Sequence, residues 1–254
     1  MPHLLCATNM MLHQIDVPLQ IRHDNTLSRP LRNYGPKDRV DVIVTNPPFG
    51  GMEEDGIETN FPKALRTRET ADLFLVLIMH LLKDGGRAAI VLPEGTLFGE
   101  GVKTRIKEKL LAECDLHTIV RLPNGVFNPY TGIKTNLLFF TKGNPTKEIW
   151  FYEHPYPPGV KNYNKTNPMR VQEFKPEKRW WPKRKENEFA WKVPVKAIKA
   201  GNYNLDIKNP HTVKPKNGDP DKLLAQYKNL LNEIGQTQDA LKKELCDALE
   251  RTGA

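Results

Sequence analysis

The sequence predicts an α/β protein built on a doubly wound, mostly parallel sheet. Two observations carry this. Runs of apolar, β-branched residues alternate along the chain with stretches of helical periodicity, and those runs are continuous, as in strands covered on both faces. Strands separated by helices imply parallel crossover units, each laying a helix on the sheet.

Taken in order, "PHLLCATNMMLHQI" is apolar at helical spacing and reads as a helix. "IRHDNTL" reads as a short strand that ends in turn residues, and "VDVIVT" as a strand covered on both faces. "ETADLFLVLIMHLLKDGG" has a Thr/Asp start and a double-glycine stop, the punctuation of a helix. "RAAIVLP" is a buried strand, "GVKTRIKEKLLAEC" an amphipathic helix, and "LHTIVRLP" and "IKTNLLFFTKG" are strands followed by "EIWFYE". The last two strands have no helix between them, which predicts an antiparallel strand at one edge.

The character changes beyond about Pro155. Prolines recur, tryptophans cluster in "RWWPKRKENEFAW", and periodicity fades. It returns in a final helix, where Leu223, Tyr227, Leu230, Ile234, Leu241, Leu245 and Ala248 form a narrow seam. Gly235 in its middle costs about 1 kcal/mol of helix propensity. Such a seam wants a partner helix, and another subunit is the expected source. The predicted organisation is a core over residues 1–154, an irregular basic Pro/Trp-containing extension over 155–217, and a subunit-contact helix over 218–254.

At 254 residues the chain can bury one good core. No stretch is long and apolar enough to cross a bilayer, so no membrane role is expected, and the chain does not open on a signal-peptide pattern. Cys6, Cys114 and Cys246 are far apart, which argues against a disulfide framework or a zinc ribbon and predicts a cytoplasmic protein with no metal. The net charge is +8, but residues 161–216 hold fifteen Lys/Arg against five Asp/Glu, or +10, leaving −2 elsewhere. That asymmetry fits a polyanion partner, or else a solvated basic segment.

The chemistry concentrates in "DVIVTNPPFGG". Ligands of open α/β sheets sit beyond the carboxyl ends of the strands, and this stretch lies at such an end. Asn46 precedes a proline and stays extended. Pro47 and Pro48 have fixed φ and no N–H, so the chain turns stiffly. The Asn46 amide oxygen, the Pro47 carbonyl and the Phe49 ring can then converge on a flat group bearing an –NH2. Two fixed acceptors would stabilise positive charge developing on such a nitrogen, while Phe49 stacks on a base flipped from its duplex. A loop with a strand stop is the plainer reading.

With these residues in view, the sequence resembles the methylation (M) subunit of type I restriction–modification systems, an adenine-N6 DNA methyltransferase. "TNPPFGG", "ADLFLVLIMHLLKDGGRAAIVLPEG", "LHTIVRLPNGVF", "GIKTNLLFFTKG" and "AWKVPVKAIKAGNYNLDIKNP" carry the likeness over almost the whole chain. The resemblance implies a sheet of the S-adenosylmethionine-dependent methyltransferase type, S-adenosylmethionine as methyl donor and a DNA adenine as acceptor. It also implies a specificity subunit and a second methylation subunit as partners, with a nuclease subunit left open. Asn46, Pro47 and Phe49 would hold the target amino group, and Asp24, with Asn25 beside it, would accept a hydrogen bond from the cofactor's adenine. An ordinary Asx turn is the competing reading there. The family's opening strand and glycine-rich turn, and the acidic strand end that holds the ribose, are not in this sequence. The expectation is therefore an incomplete sheet lacking its first strands, a chain inactive alone, and a missing N-terminal half as partner.

Weaker candidates complete the site. Pro48, Tyr130 and Phe127 could wall the base pocket, and Lys63, Arg66 and Arg68 could touch DNA from the loop "GMEEDGIETNFPKALRTRET". Two other functions stay open: an amino-methyltransferase acting on RNA or protein, and a non-catalytic scaffold that docks a specificity subunit.

Overall fold

In the computed structural model, residues 2–15, 21–212 and 220–252 are described. Residues up to His211 form one compact unit, and those from Thr212 a second. The first is organised on six strands: β1 (Val40–Thr45), β2 (Leu82–Pro93), β3 (Cys114–Arg121), β4 (Thr135–Lys142), β5 (Glu148–Glu153) and β6 (Ala190–Pro194). Their order across the sheet is β1-β2-β4-β3-β5-β6. β1 is parallel to β2 and β3 to β5, whereas β4 is antiparallel to both its neighbours and β6 to β5. Four strands therefore point one way, and the fold is the mostly parallel α/β sheet that the alternation of elements predicts.

One face is closed by helices α2 (Thr70–Leu81), α3 (Glu94–Phe98) and α4 (Val102–Glu113). α2 is buried on nearly every side, and Leu73, Leu75, Met79 and their neighbours pack with Ile90, Leu92, Leu138 and Phe140 of the sheet in the main core. α4 is amphipathic and buries Ile106, Leu110 and Leu111 there. Over β3 and β5 the opposite face is closed by the tryptophan-rich segment. Trp180, at the end of α5 (Lys175–Trp180), packs with Val120, Tyr152 and Ala190, and its indole N–H donates to the Lys185 carbonyl at 2.8 Å. The segment from 155 also supplies β6 and α6 (Val195–Ala200), whose Ile198 joins the main core. The sequence did not signal either element, because five or six residues are too few to show a period.

Four expectations need correction. Residues 21–27 form bends and turns rather than a strand. α2 stops at Leu81, ahead of the double glycine. Gly85 and Gly86 lie inside β2, where pairing jumps from Val40↔Leu82 to Val42↔Arg87, so they serve a bulge. The antiparallel strand is not confined to an edge. β6 is at one edge, but β4 returns beside β3 and inserts between it and β2. Finally, "VDVIVT" is not covered on both faces: β1 is an edge strand, with Val44 79% and Val42 51% exposed.

Helix α1 (Pro2–Leu12) starts where expected and ends three residues before Ile15, with Leu4, Leu5, Met11 and Leu12 exposed. In the second unit α7 (Pro220–Thr252) is one continuous helix through Gly235. Its seam residues Leu223, Tyr227, Leu230, Ile234, Leu241 and Leu245 are all exposed. The side chain of Ala248 and the boundary expected at 217–218 lie outside the described residues. No described helix is long and apolar enough to cross a membrane.

Candidate functional site

β1 delivers the chain to the carboxyl end of the sheet, where Asn46 is exposed, Pro47 buried, Pro48 exposed and Phe49 half-buried. Two prolines in succession offer no N–H to a neighbouring strand, so the ladder ends and the backbone cannot fold back on itself. Among the described residues no backbone N–H donates to the Pro47 carbonyl. Gly50 follows at φ +65, a left-handed turn that L side chains rarely adopt. The next residues are sewn to the entry of α2. Thr70 gives both its N–H and its hydroxyl to the Gly51 carbonyl, at 3.1 and 3.0 Å, and the Glu53 N–H donates to the Arg68 carbonyl at 2.8 Å. The rim is thus fixed from both sides, by β1 before it and α2 after it.

Of the expected base-pocket residues, the structure brings Phe127 to the rim. Its ring meets that of Phe49 edge to face, centroids 5.0 Å apart and planes at 75°. Tyr130, three residues on, is 92% exposed and packs on neither ring.

Asp24 and Asn25 lie on a turn, not at a strand tip. The Asn25 side-chain oxygen accepts from the Leu27 N–H at 2.9 Å, closing an Asx turn, and its amide nitrogen donates to Glu53 at 3.0 Å. Glu53 also accepts from the Thr70 hydroxyl at 2.9 Å. This carboxylate, which no sequence pattern singles out, ties the Asp24–Asn25 turn to the residues just after Phe49. Asn25 is committed at both ends to that tie. Asp24 is exposed and takes one long hydrogen bond, 3.3 Å, from Ser28.

The three cations of the loop after Gly51 differ. Arg66 donates to the Phe61 carbonyl at 3.1 Å, and Arg68 donates twice to the Glu53 carbonyl and pairs with Asp55 at 2.8 Å. Both hold their own loop in shape. Lys63 is exposed beside a cleft with Pro30, Arg32 and Asn60. Phe61 and Leu65 are buried, and the Asn60 amide donates to the Leu27 and Ser28 carbonyls, so the loop is pinned to the Asp24–Asn25 turn.

Beneath the rim lies an ionic cluster that the sequence does not announce. Asp72, fully buried in the first turn of α2, accepts from Thr96 at 3.0 Å and from Lys103 at 2.6 Å, and Lys103 also bonds Glu69. Burial holds the Asp72 carboxyl above the ordinary carboxylate range, and Lys103 pulls it only partly back. For Lys103, burial acts downward, but the two carboxylates outweigh it and raise the ammonium. Nearby, burial lowers Lys107 to about 8 while it caps α3 through the Leu97 and Gly99 carbonyls. These groups lock α2, α3 and α4 together behind the candidate site.

Sequence and structure comparisons then place the chain. Residues 1–219 match the sequence model of the N-6 DNA Methylase family. The chain is 64% identical over 256 residues to the type I restriction enzyme EcoEI methylase subunit of Escherichia coli, covering 98% of this chain and 52% of that protein. With the EcoKI methylase subunit of Escherichia coli K12 it shares 37% identity over 162 residues, 59% of this chain and 30% of that one. It therefore spans about half or less of the curated relatives it matches. Among solved structures, one describing complex assembly and conformational transition of the type I R-M system superposes with a TM-score of 0.75 at 39% identity, over 93% of this chain and 51% of that one. The EcoKI M protein superposes at 0.68 with 28% identity, over 94% and 57%.

Proposed function

The chain belongs to the N-6 DNA methylase family, and from that premise we propose that it carries the amino-acceptor site for adenine-N6 methyl transfer to DNA within a type I restriction–modification complex. The observation that carries this is the rim after β1: an exposed Asn46, two prolines that stiffen the turn, and Phe49 beside Phe127. The Asn46 amide oxygen and the Pro47 carbonyl accept hydrogen bonds from the adenine amino group. They stabilise the positive charge growing on its nitrogen, and they need no reorganisation because the backbone is fixed. Phe49 offers a face to the flipped base. S-adenosylmethionine, when bound, supplies an electrophilic methyl group. The exposed Asp24 carboxylate, held next to the rim through Asn25 and Glu53, suits the adenine amino group of that donor.

We further infer that residues 1–254 are inactive by themselves and need added strands beside β1. Among the described residues no strand neighbours the outer edge of β1, and Val42 and Val44 present an apolar face beside it. Added strands would complete the sheet there, as would be supplied by the half of the relatives that this chain does not span. The α7 seam has the spacing to pack against helices of a specificity subunit, which would read the DNA sequence.

The test is reconstitution. This chain is mixed with a polypeptide covering the remaining half of the relatives, and labelled methyl transfer to adenine in duplex DNA is followed. Activity should appear only in the mixture and fall about 10²-fold or more in Asn46→Ala, the loss typical of one transition-state acceptor. Undiminished transfer by Asn46→Ala would remove the mechanism. Low-micromolar binding of S-adenosylmethionine by this chain alone, measured calorimetrically, would remove the need for the added half.

A further inference from the structure

The basic extension sorts its charges by side. Its two acidic residues ahead of Trp180 both turn inward. Glu177 is 4% exposed and pairs with His154, itself 3% exposed, at the end of β5. Glu173 accepts from the buried Tyr163 hydroxyl and from the Arg170 N–H. The cations face out: Lys161, Lys165, Arg170, Lys175, Lys178 and Arg179 are all exposed. Among the described residues none of the six is in an ion pair. On α5 the division follows the helix, with Glu177 and Trp180 inside and Lys175, Lys178 and Arg179 outside. A merely solvated segment would leave its carboxylates at the surface to balance its cations, since burying a carboxylate carries a desolvation cost.

This surface adjoins the candidate site. The Asn128 amide donates to the Tyr163 carbonyl at 3.1 Å, and the Tyr156 hydroxyl donates to the Asn124 carbonyl at 2.9 Å. At Gly125 the approach is so close that a Cβ would stand 2.2 Å from the Asn162 side-chain oxygen and 2.6 Å from the Tyr163 carbonyl. The loop held in this way carries Phe127, which meets Phe49.

We infer that the outer surface of residues 161–179 is a phosphate-contact surface, on which the duplex backbone flanking the acceptor adenine rests. The inference deepens the function proposed above and rests on DNA being the substrate. Exposed Lys and Arg on a scaffold fixed from within position a duplex without reading its sequence, which phosphate contacts do in general. Because that binding is independent of sequence, it can be measured without methyl transfer.

The experiment follows the anisotropy of a fluorescein-labelled 20-base-pair duplex, titrated with the full chain between 50 and 200 mM salt. The triple variant Lys175→Gln, Lys178→Gln, Arg179→Gln should lower the slope of log affinity against log salt by about 2.7, at 0.9 per lost contact. Lys161→Gln with Lys165→Gln, outside any helix, should lower it by about 1.8 on the same relation. The control Lys228→Gln, Lys242→Gln, Lys243→Gln on α7 should leave it unchanged. A slope unmoved by either extension variant, or moved equally by the control, overturns the inference. So does competition by polyglutamate as strong as by unlabelled duplex, which would mark an acidic protein as the partner. Wild-type chain that fails to bind duplex at 50 mM salt overturns it too, while the methyl-transfer reading still answers to its own assay.

Discussion

Replacing Lys103 by methionine tests whether the buried cluster holds the helices behind the rim. Among the described residues the ammonium is the only cation bonded to Asp72, whose side chain has no exposed area; the remaining partner is Thr96 at 3.0 Å. Methionine fills a similar volume but leaves a carboxylate buried beside one hydroxyl. Removing one member of a buried pair typically costs about 3–5 kcal/mol. For a unit of this size that is a fall in Tm of roughly 6–20 °C, at 2–4 °C per kcal/mol. The pH dependence gives a second check. The Asp72 carboxyl is already raised in the folded chain, and losing Lys103 raises it further. The folded variant then takes up a proton at a pH where the unfolded chain does not, so its stability recovers relative to wild type as pH falls from neutral. Wild-type Lys103, itself raised, keeps its contribution at neutral pH and loses it only under alkaline conditions. Thermal unfolding by circular dichroism at pH 5 and pH 7.5 measures both effects. The double variant Asp72→Leu, Lys103→Met should regain most of the lost stability, since an apolar pair removes the stranded charge. A Tm drop under about 2 °C at pH 7.5, or a deficit that widens toward pH 5, would refute the reasoning.

Three further outcomes are expected. Gly125→Ala should destabilise by about 1–3 kcal/mol in denaturant unfolding, because φ is +80 and the methyl would strike Asn162 and Tyr163. A maleimide should label the exposed Cys6 and Cys246 rapidly and Cys114 only on unfolding, as burial pushes that thiol up to about 12. In an NMR titration His117 should stay neutral until about pH 4, since burial and Arg184 lower it. Its folded value lies below the unfolded 6.5, so it contributes stability above that pH that is lost toward acid.

The elements visible in the sequence were those whose pattern is local. Continuous apolar runs marked β3 and the second half of β2, and helical spacing marked α1, α4 and α7, each of these four whole elements within a few residues. Apart from the short β6 and α6, the misses turn on neighbours. Nothing in "HDNTL" shows that its turn is tied through Glu53 to Thr70, and nothing in the double glycine separates a helix stop from a bulge beside Val40. Propensity describes a residue against its own segment, whereas these outcomes depend on residues tens of positions away.

The sequence by itself determined the chemistry on offer: an amide, two prolines and a ring at a strand's carboxyl end, with surplus positive charge far along the chain. Only the tertiary structure decided which groups meet. It set Phe127 against Phe49, buried Asp72 with Lys103, turned Glu173 and Glu177 inward and put β1 at the edge of the sheet. The physical reason is that burial and pairing are properties of enclosed space, and that space exists only once the sheet and its helices have closed around it.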